Sequence, residues 1–305
     1  MELSPQDQAG TLRALRRLRA PPLAVPGHVL EASQATAPRV IAVASGKGGV
    51  GKTTLVANLA FALADHGLKV LAIDGDLGLA NLDLAFGVPV STSFADLLDG
   101  TETVERLVRP VTALVSLLPA CSGRYDLANL DDRQRYGILS AIDSLETSFD
   151  ALVIDTAAGI GSNAVGFAAA AQQVVIVTNR EPTALADAYA FIKVLATKYG
   201  VKRVLVVANS VSHAGEGEEV FERLLRLSDR FLGVGLDYLG AVVQDVAVTK
   251  SIQSGRPILA LSPEAAASQC LRQIAAKLLA MPIAELPSGG VQLFWRRLLD
   301  RQGAA

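Results

Sequence analysis

The chain has 305 residues, half of them hydrophobic, 5% aromatic and 19% charged, with a formal net charge of −2. That length bounds the protein at two domains and is enough for a large buried core. The near-neutral balance excludes a strongly basic protein that coats nucleic acid, while leaving room for a local basic patch. Cys121 and Cys270 lie far apart and belong to no C-x-x-C pair, so one chain offers no ligand set for zinc or an iron–sulfur cluster. Both read as reduced thiols. His28, His66 and His213 have no metal-ligand spacing and read as surface residues. No apolar run approaches the ~20 residues of a spanning helix, and the N-terminus lacks the h-region of a signal peptide. A cytoplasmic protein is expected, unless something anchors it peripherally.

In chain order, residues 1–20 form a short basic arm. Ser4 can cap a helix that begins at Pro5, with Asp7 in its acidic third position. Leu12, Leu15 and Leu18 then make a stripe, with Arg13, Arg16, Arg17 and Arg19 around it. A helix of ~12–15 residues is marginal alone, so the arm either orders on a partner or is a solubilising extension. Residues 21–38 follow as a linker carrying Pro21, Pro22, Pro26 and Pro38.

Residues 39–281 alternate apolar runs with longer helical patterns. The expected strands are Arg39–Ser45, Lys69–Asp74, Ala113–Leu118, Asp150–Asp155, Gln173–Thr178, Arg203–Ala208 and Tyr238–Val243. Most are continuous runs of Val, Ile, Leu and Ala, as in strands buried on both faces of a parallel sheet. Helical spacing falls on Thr53–His66, Asp132–Thr147, Pro182–Tyr199, Glu218–Phe231 and Pro263–Leu279. This alternation predicts an α/β domain with a doubly wound, mostly parallel sheet and helices on both faces. Ligands in such sheets bind at the carboxyl ends of the strands.

Directly after the first expected strand comes Ser45-Gly46-Lys47-Gly48-Gly49-Val50-Gly51-Lys52-Thr53-Thr54, which contains G-x-x-x-x-G-K-T. Glycines at 48, 49 and 51 let the backbone N–H groups of this loop, Gly48, Gly49, Val50 and Gly51 among them, turn toward phosphate oxygens. The helix that opens at Lys52, Thr53 and Thr54 adds its N-terminal dipole. Lys52 is expected on the β- and γ-phosphates and the Thr53 hydroxyl on Mg²⁺. Leu152-Val153-Ile154-Asp155 is an apolar strand ending in a carboxylate, and Asp155 is expected to hold Mg²⁺ directly or through water. A nucleoside triphosphate and Mg²⁺ are therefore the expected ligands.

The string GKGGVGKTT resembles the deviant Walker A ATPases, the MinD/ParA family of P-loop proteins, and the resemblance covers most of residues 39–260. It implies that the nucleotide is ATP and that its hydrolysis is slow, magnesium-dependent and dimerisation-coupled. In that family a lysine matching Lys47 reaches the partner's phosphates across a nucleotide-sandwich homodimer. Ile73–Asp83 resembles its first switch, in which Asp76 matches the aspartate that positions the attacking water near the metal; Asp74 and Asn81 match polar neighbours. Thr156–Ile160 resembles the second switch, and Asn209 matches the residue that reads adenine. Relatives carry Pro-x-Asp where this chain has Val243-Gln244-Asp245, which leaves Asp245 undecided.

Within the family, Glu181–Lys193 and the Asp7-Gln8-Ala9 segment resemble the FlhG (FleN) branch, MinD-like regulators of flagellar number. Arg180 stands where relatives carry proline. The arm resemblance implies that residues 4–19 engage an FlhF-type GTPase. After the breaker-rich stretch from Pro282 to Gly290, Val291–Arg301 places Val291, Phe294, Trp295, Leu298 and Leu299 on one helical face. Arg296, Arg297, Asp300 and Arg301 take the other side. Too short to span a bilayer, residues 291–301 suit either the surface of an anionic membrane or docking on the protein's own core. The first option resembles the targeting tails of MinD and FlhG. Residues 282–305 thus form a linker and amphipathic segment. The expected function is a membrane-binding, ATP-dependent switch that regulates flagellar number or placement. Two alternatives stay open. One is a MinD-like positioning ATPase, which would not need the arm. The other is a ParA-like DNA segregation ATPase, which would need a basic face.

Overall fold

The computed structural model describes residues 38–120, 130–145, 148–231 and 233–282. The expected arm (1–20), most of the linker (21–38) and the amphipathic segment (291–301) lie outside the described residues, as does Cys121. The described part belongs to one compact unit.

Eight strands form a single sheet among the described residues. They are β1 (Arg39–Ser45), β2 (Val70–Gly75), β3 (Arg109–Pro110), β4 (Val115–Leu118), β5 (Ala151–Ala158), β6 (Gln173–Thr178), β7 (Arg203–Val211) and β8 (Gly235–Val243). Their order across the sheet is β3-β4-β2-β5-β1-β6-β7-β8, and every pair is parallel except β3 with β4. The strand order reverses at β1, so the loop leaving β1 opens at a topological switch point where α/β sheets take ligands.

The apolar runs of the sequence find their reason in the two faces. Along β1, Val40, Ala42 and Ala44 enter one core while Ile41 and Val43 enter the other. The first core is closed by helices α5 (Asp132–Ser144), α6 (Ser162–Ala170), α7 (Pro182–Tyr199) and α8 (Ala214–Phe231). Their contributions include Ile138, Phe167, Phe191 and Leu224, all fully buried. The second core is closed by α1 (Lys52–Ala64), α2 (Leu82–Phe86), α10 (Ile258–Leu261) and α11 (Ala266–Ala280). Three further short helices are α3 (Phe94–Leu98), α4 (Val104–Leu107) and α9 (Val246–Ser254).

Local chemistry sets several of these ends. Ser93 with Asp96, and Asp131 with Gln134, form capping boxes that satisfy the first N–H groups of α3 and α5. Pro182 opens α7, where its missing N–H costs nothing, and Gly200 closes it in a left-handed conformation. The last carbonyls of α11 need partners. Arg39, the first residue of β1, supplies them by donating to the carbonyls of Leu278, Leu279 and Met281. Among the described residues no helix is long and apolar enough to cross a membrane.

Candidate nucleotide-binding site

The phosphate loop leaves β1 and runs straight into α1. Gly49 and Gly51 take φ of 78° and 89°, in the left-handed region that favours glycine. Gly51 is also the N-cap of α1, and a Cβ there would come within 2.1 Å of the Asn209 amide nitrogen. A side chain at this position would strain the backbone and push the Asn209 amide off the Val50 carbonyl. Gly51→Ala is expected to leave the fold intact while lowering ATP affinity about 100-fold, since a loop displaced by ~1 Å loses its aim. Calorimetric titration of ATP against a thermal melt of the same variant checks this.

Lys52, the first residue of α1, is buried, and its Nζ donates to Asp155 Oδ1 at 2.9 Å. Asp155 lies on β5, in register with Val43 of β1 and Asp74 of β2. Burial pushes its carboxyl up, opposed by the Lys52 charge and by a hydrogen bond from the Thr53 side chain. Two residues expected on the metal, Thr53 and Asp155, are therefore in contact across the mouth of the loop. Among the described residues no cluster of three or more His, Cys, Asp or Glu could cage a metal. That donor set fits Mg²⁺, which retains waters and is completed by substrate phosphate oxygens. Thr53, Asp155 and, more peripherally, Asp76 would hold it, and it would neutralise charge on the transferring phosphoryl group.

Asp76 is half-buried in the loop after β2, and its Oδ1 accepts from the Leu79 N–H at 3.2 Å. Asp74 is buried and accepts three main-chain N–H groups from the same loop. Burial, and after it the Asp155 charge, pushes the Asp74 carboxyl up to about 7.

Lys47 turns away from its own phosphate loop. Its Nζ donates to Glu181 Oε2 at 2.6 Å and to Thr183 Oγ1 at 3.1 Å, at the start of α7. Glu181 is held below the usual carboxylate range by that lysine. Neighbouring Arg180, unexplained by the sequence, pairs with Glu216 at 3.2 Å, and Glu216 accepts the Ser212 N–H. It thereby ties the loop before α7 to the loop before α8.

Asn209 follows Ala208 in β7, and its Nδ2 donates to the Val50 carbonyl at 2.7 Å. The residue expected to read adenine thus braces the phosphate loop. A cavity of about 400 Å³ opens beside it, lined by Asn209, Val243, Gln244, Asp245 and Val246 among others. Asp245 spends both oxygens on structure, accepting from Ala247 N at the head of α9 and from Ala267 N at the head of α11. Ser210 next to Asn209 has φ of 56°, a left-handed conformation a serine adopts rarely, where β7 slips register against β8. Gly48 and Thr54 complete the expected set. Gly48 is exposed at the loop tip, and Thr54 lies half-buried in the first turn of α1.

Lys52 and Thr53 meet Asp155, the Asp76 charge acts on the same carboxylate, and Asn209 bonds to the phosphate loop, so these expected residues lie at one end of the sheet. Sequence reasoning assigned no role to Glu181 or Thr183, which stand 134 and 136 positions from Lys47. The second-switch segment Thr156–Ile160 is partly strand, with Thr156–Ala158 completing β5 and the Gly159 N–H bonded to the Ser45 carbonyl.

A glycine-rich loop between a parallel strand and a helix, a buried lysine at the helix start and an aspartate on the neighbouring strand define a P-loop nucleoside triphosphatase. The family model for the CobQ/CobB/MinD/ParA nucleotide-binding domain matches residues 41–258. The chain belongs to that family and is one of its Mg²⁺-dependent ATPases. It is 39% identical over 262 residues to the antiactivator FleN of Pseudomonas aeruginosa, covering 86% of this chain and 94% of that one. With the flagellum site-determining protein YlxH of Helicobacter pylori it shares 33% over 269 residues, covering 87% and 91%. Among solved structures, the septum site-determining protein MinD from Pyrococcus horikoshii, complexed with Mg-ADP, superposes with a TM-score of 0.66 at 29% identity. That match covers 82% of this chain and all of the other.

Proposed function

We propose that this chain is an ATP-driven switch of the FlhG/FleN kind, which dimerises on ATP, binds membrane reversibly and regulates flagellar number or placement through protein partners. The observation that carries the switch reading is the position of Lys47. Its amine is held outside its own phosphate loop by Glu181 and Thr183 at the carboxyl end of the sheet. From there it can be released toward a second copy. Exposed apolar side chains support the same face as a dimer surface. Leu79, Ile160 and Val246 are 68%, 58% and 71% exposed and follow β2, β5 and β8 at that end.

In the assembled dimer, Lys52 and the partner copy's Lys47 would neutralise the phosphates while Asp76 orients water toward the γ-phosphorus. Water attack breaks the bond to the bridging oxygen and leaves ADP and phosphate. Such chemistry is largely positioning and charge neutralisation. Asn209 and the cavity beside it would take the base. The flagellar assignment is supported by YlxH, a flagellum site-determining protein, and by the resemblance to the FlhG/FleN branch, of which the antiactivator FleN matches across most of the chain. An FlhF-type GTPase is the proposed partner of residues 4–19, and anionic membrane that of residues 291–301. A MinD-like positioning role is the second reading, favoured by the structural likeness to MinD proteins.

Sedimentation with anionic liposomes tests the proposal. The full chain is expected to cosediment with ATP and not with ADP, and truncation after Gly290 is expected to abolish this. A single weak helix gains from the avidity of a dimer, so the ATP effect should be tenfold or more, on the order of 10²-fold. A full chain that stays in the supernatant with both nucleotides would sink the membrane reading and leave the ATPase standing.

A further inference from the structure

Asp74 is the penultimate residue of β2 and only 1% exposed. Its Oδ1 accepts from Asp76 N at 3.1 Å, and its Oδ2 from Asn81 N at 3.1 Å and Leu82 N at 3.0 Å. All three donors are main-chain groups of the segment that follows the strand. One buried carboxylate therefore closes residues 76–82 into a ring on itself. It also does the work of a helix cap. Asn81 occupies the N-cap of α2 but makes no side-chain cap bond, and Asp74 takes the orphan N–H of Leu82 instead.

Burying a carboxylate is unfavourable, and a polar side chain with less charge could end this strand at lower cost. The surroundings deepen that cost. Gly75 lets β2 approach β5 so closely that a Cβ there would lie 2.9 Å from the Asp155 carbonyl oxygen. Asp74 is thereby set in register with a second buried carboxylate, Asp155, on the neighbouring strand. Two buried carboxyl groups side by side are costly for packing alone. What Asp74 secures here is the loop's geometry. The main chain of Asp76 is pinned at its N–H by Asp74, and its side chain is turned by the bond from Leu79.

We propose that Asp74 is a positioning residue for ATP hydrolysis. It gathers the amides of Asp76, Asn81 and Leu82 and so fixes the loop that aims the Asp76 carboxylate, without itself touching water or metal. The inference rests on the reading of Asp76 as the water-orienting group. Asp74→Asn is nearly isosteric but offers a single acceptor oxygen. One end of the loop is left unbonded and faces an amide NH₂ instead. Misplacement of a reacting group by ~1 Å costs about 10²-fold in rate.

Single-turnover hydrolysis, ATP binding and Mg²⁺ titration of the full chain, for wild type, Asp74→Asn and Asp76→Asn, test this. Asp74→Asn is expected to lower the hydrolysis step about 10- to 100-fold while ATP affinity and the Mg²⁺ half-saturation stay within about threefold. A parallel rise in the Mg²⁺ half-saturation would assign Asp74 to the metal and overturn the proposal. So would wild-type hydrolysis by Asp74→Asn while Asp76→Asn is dead. An active Asp76→Asn would instead remove the reading of Asp76 on which this rests. Hydrogen exchange on the wild-type chain keeps the test open should Asp74→Asn not fold. The amides of Asp76, Asn81 and Leu82 are expected to be protected together, and loop-like exchange at all three would overturn the proposal.

Discussion

Lys52→Ala is expected to lower ATP hydrolysis by about 10²- to 10³-fold or more, the scale of losing one aimed charge from a water-excluded site. It should also destabilise the protein in the absence of nucleotide, which a lysine serving only the phosphates would not do. The reason is the 2.9 Å pair with Asp155, in which both side chains are buried. Removing one partner of such a pair leaves an uncompensated buried charge, at a cost of about 3–5 kcal/mol. In a domain of this size that lowers the melting temperature by roughly 10 °C. The pH dependence of this loss has a definite sign. Burial raises the Asp155 carboxyl and the Lys52 charge opposes the rise, so losing Lys52 lifts it further. A carboxyl raised in the folded state holds a proton that the unfolded chain has released. Stability then falls as pH rises from the ordinary carboxylate range to the folded value. Melting of Lys52→Ala should therefore fall further below wild type at pH 8 than at pH 5. The double variant Lys52→Ala/Asp155→Asn should regain most of the lost stability and none of the hydrolysis. Equal melting of Lys52→Ala and wild type at both pH values would show that the pair contributes nothing to the fold.

The first strand, the phosphate loop and α1 were legible in the sequence because everything that makes them is local. A run of Val, Ile and Ala meets a glycine string, and the helix begins at its last lysine. Asp155 was legible for the same reason, as a carboxylate among the last residues of an apolar run. Edges were less so. The strand expected over Arg203–Ala208 continues, as β7, through polar Asn209 and Ser210 to Val211. The strand expected from Tyr238 begins, as β8, at Gly235, because its outer position leaves several residues half-exposed and breaks the apolar run. Helix α6 escaped notice because SNAVGFAAA is buried nearly all round and carries no 3.6-residue contrast. Asp74 and Glu181 show a different limit. The partners of Asp74 are main-chain amides, which have no residue signature. Glu181 meets Lys47 only because β1 and β6 are neighbours in the sheet.

Lys47→Ala is expected to leave ATP affinity within about threefold, since the amine lies outside its own phosphate loop. On the proposed reading it should remain monomeric with ATP and hydrolyse about 10³-fold more slowly, as when a trans-acting cation is withdrawn from phosphoryl transfer. Glu181→Gln acts in the opposite direction on the same equilibrium. In the structure the lysine is bonded to Glu181 and Thr183, and on the proposed reading these bonds break before it crosses to a partner. The pair is largely exposed and therefore weak, but a dimer releases two of them. Glu181→Gln should tighten ATP-dependent dimerisation by about three- to tenfold, with the effect shrinking as salt is raised. Sedimentation velocity in an Asp76→Asn background, in which hydrolysis is expected to be too slow to deplete the ATP, measures both variants. If Lys47→Ala dimerised like its parent, the lysine would be a solvated loop residue. If only Glu181→Gln failed to shift the equilibrium, the trans role would stand and the contact with Glu181 would be incidental to it. The two variants thus separate the reach of Lys47 from its restraint, because one removes the cation and the other only its resting partner.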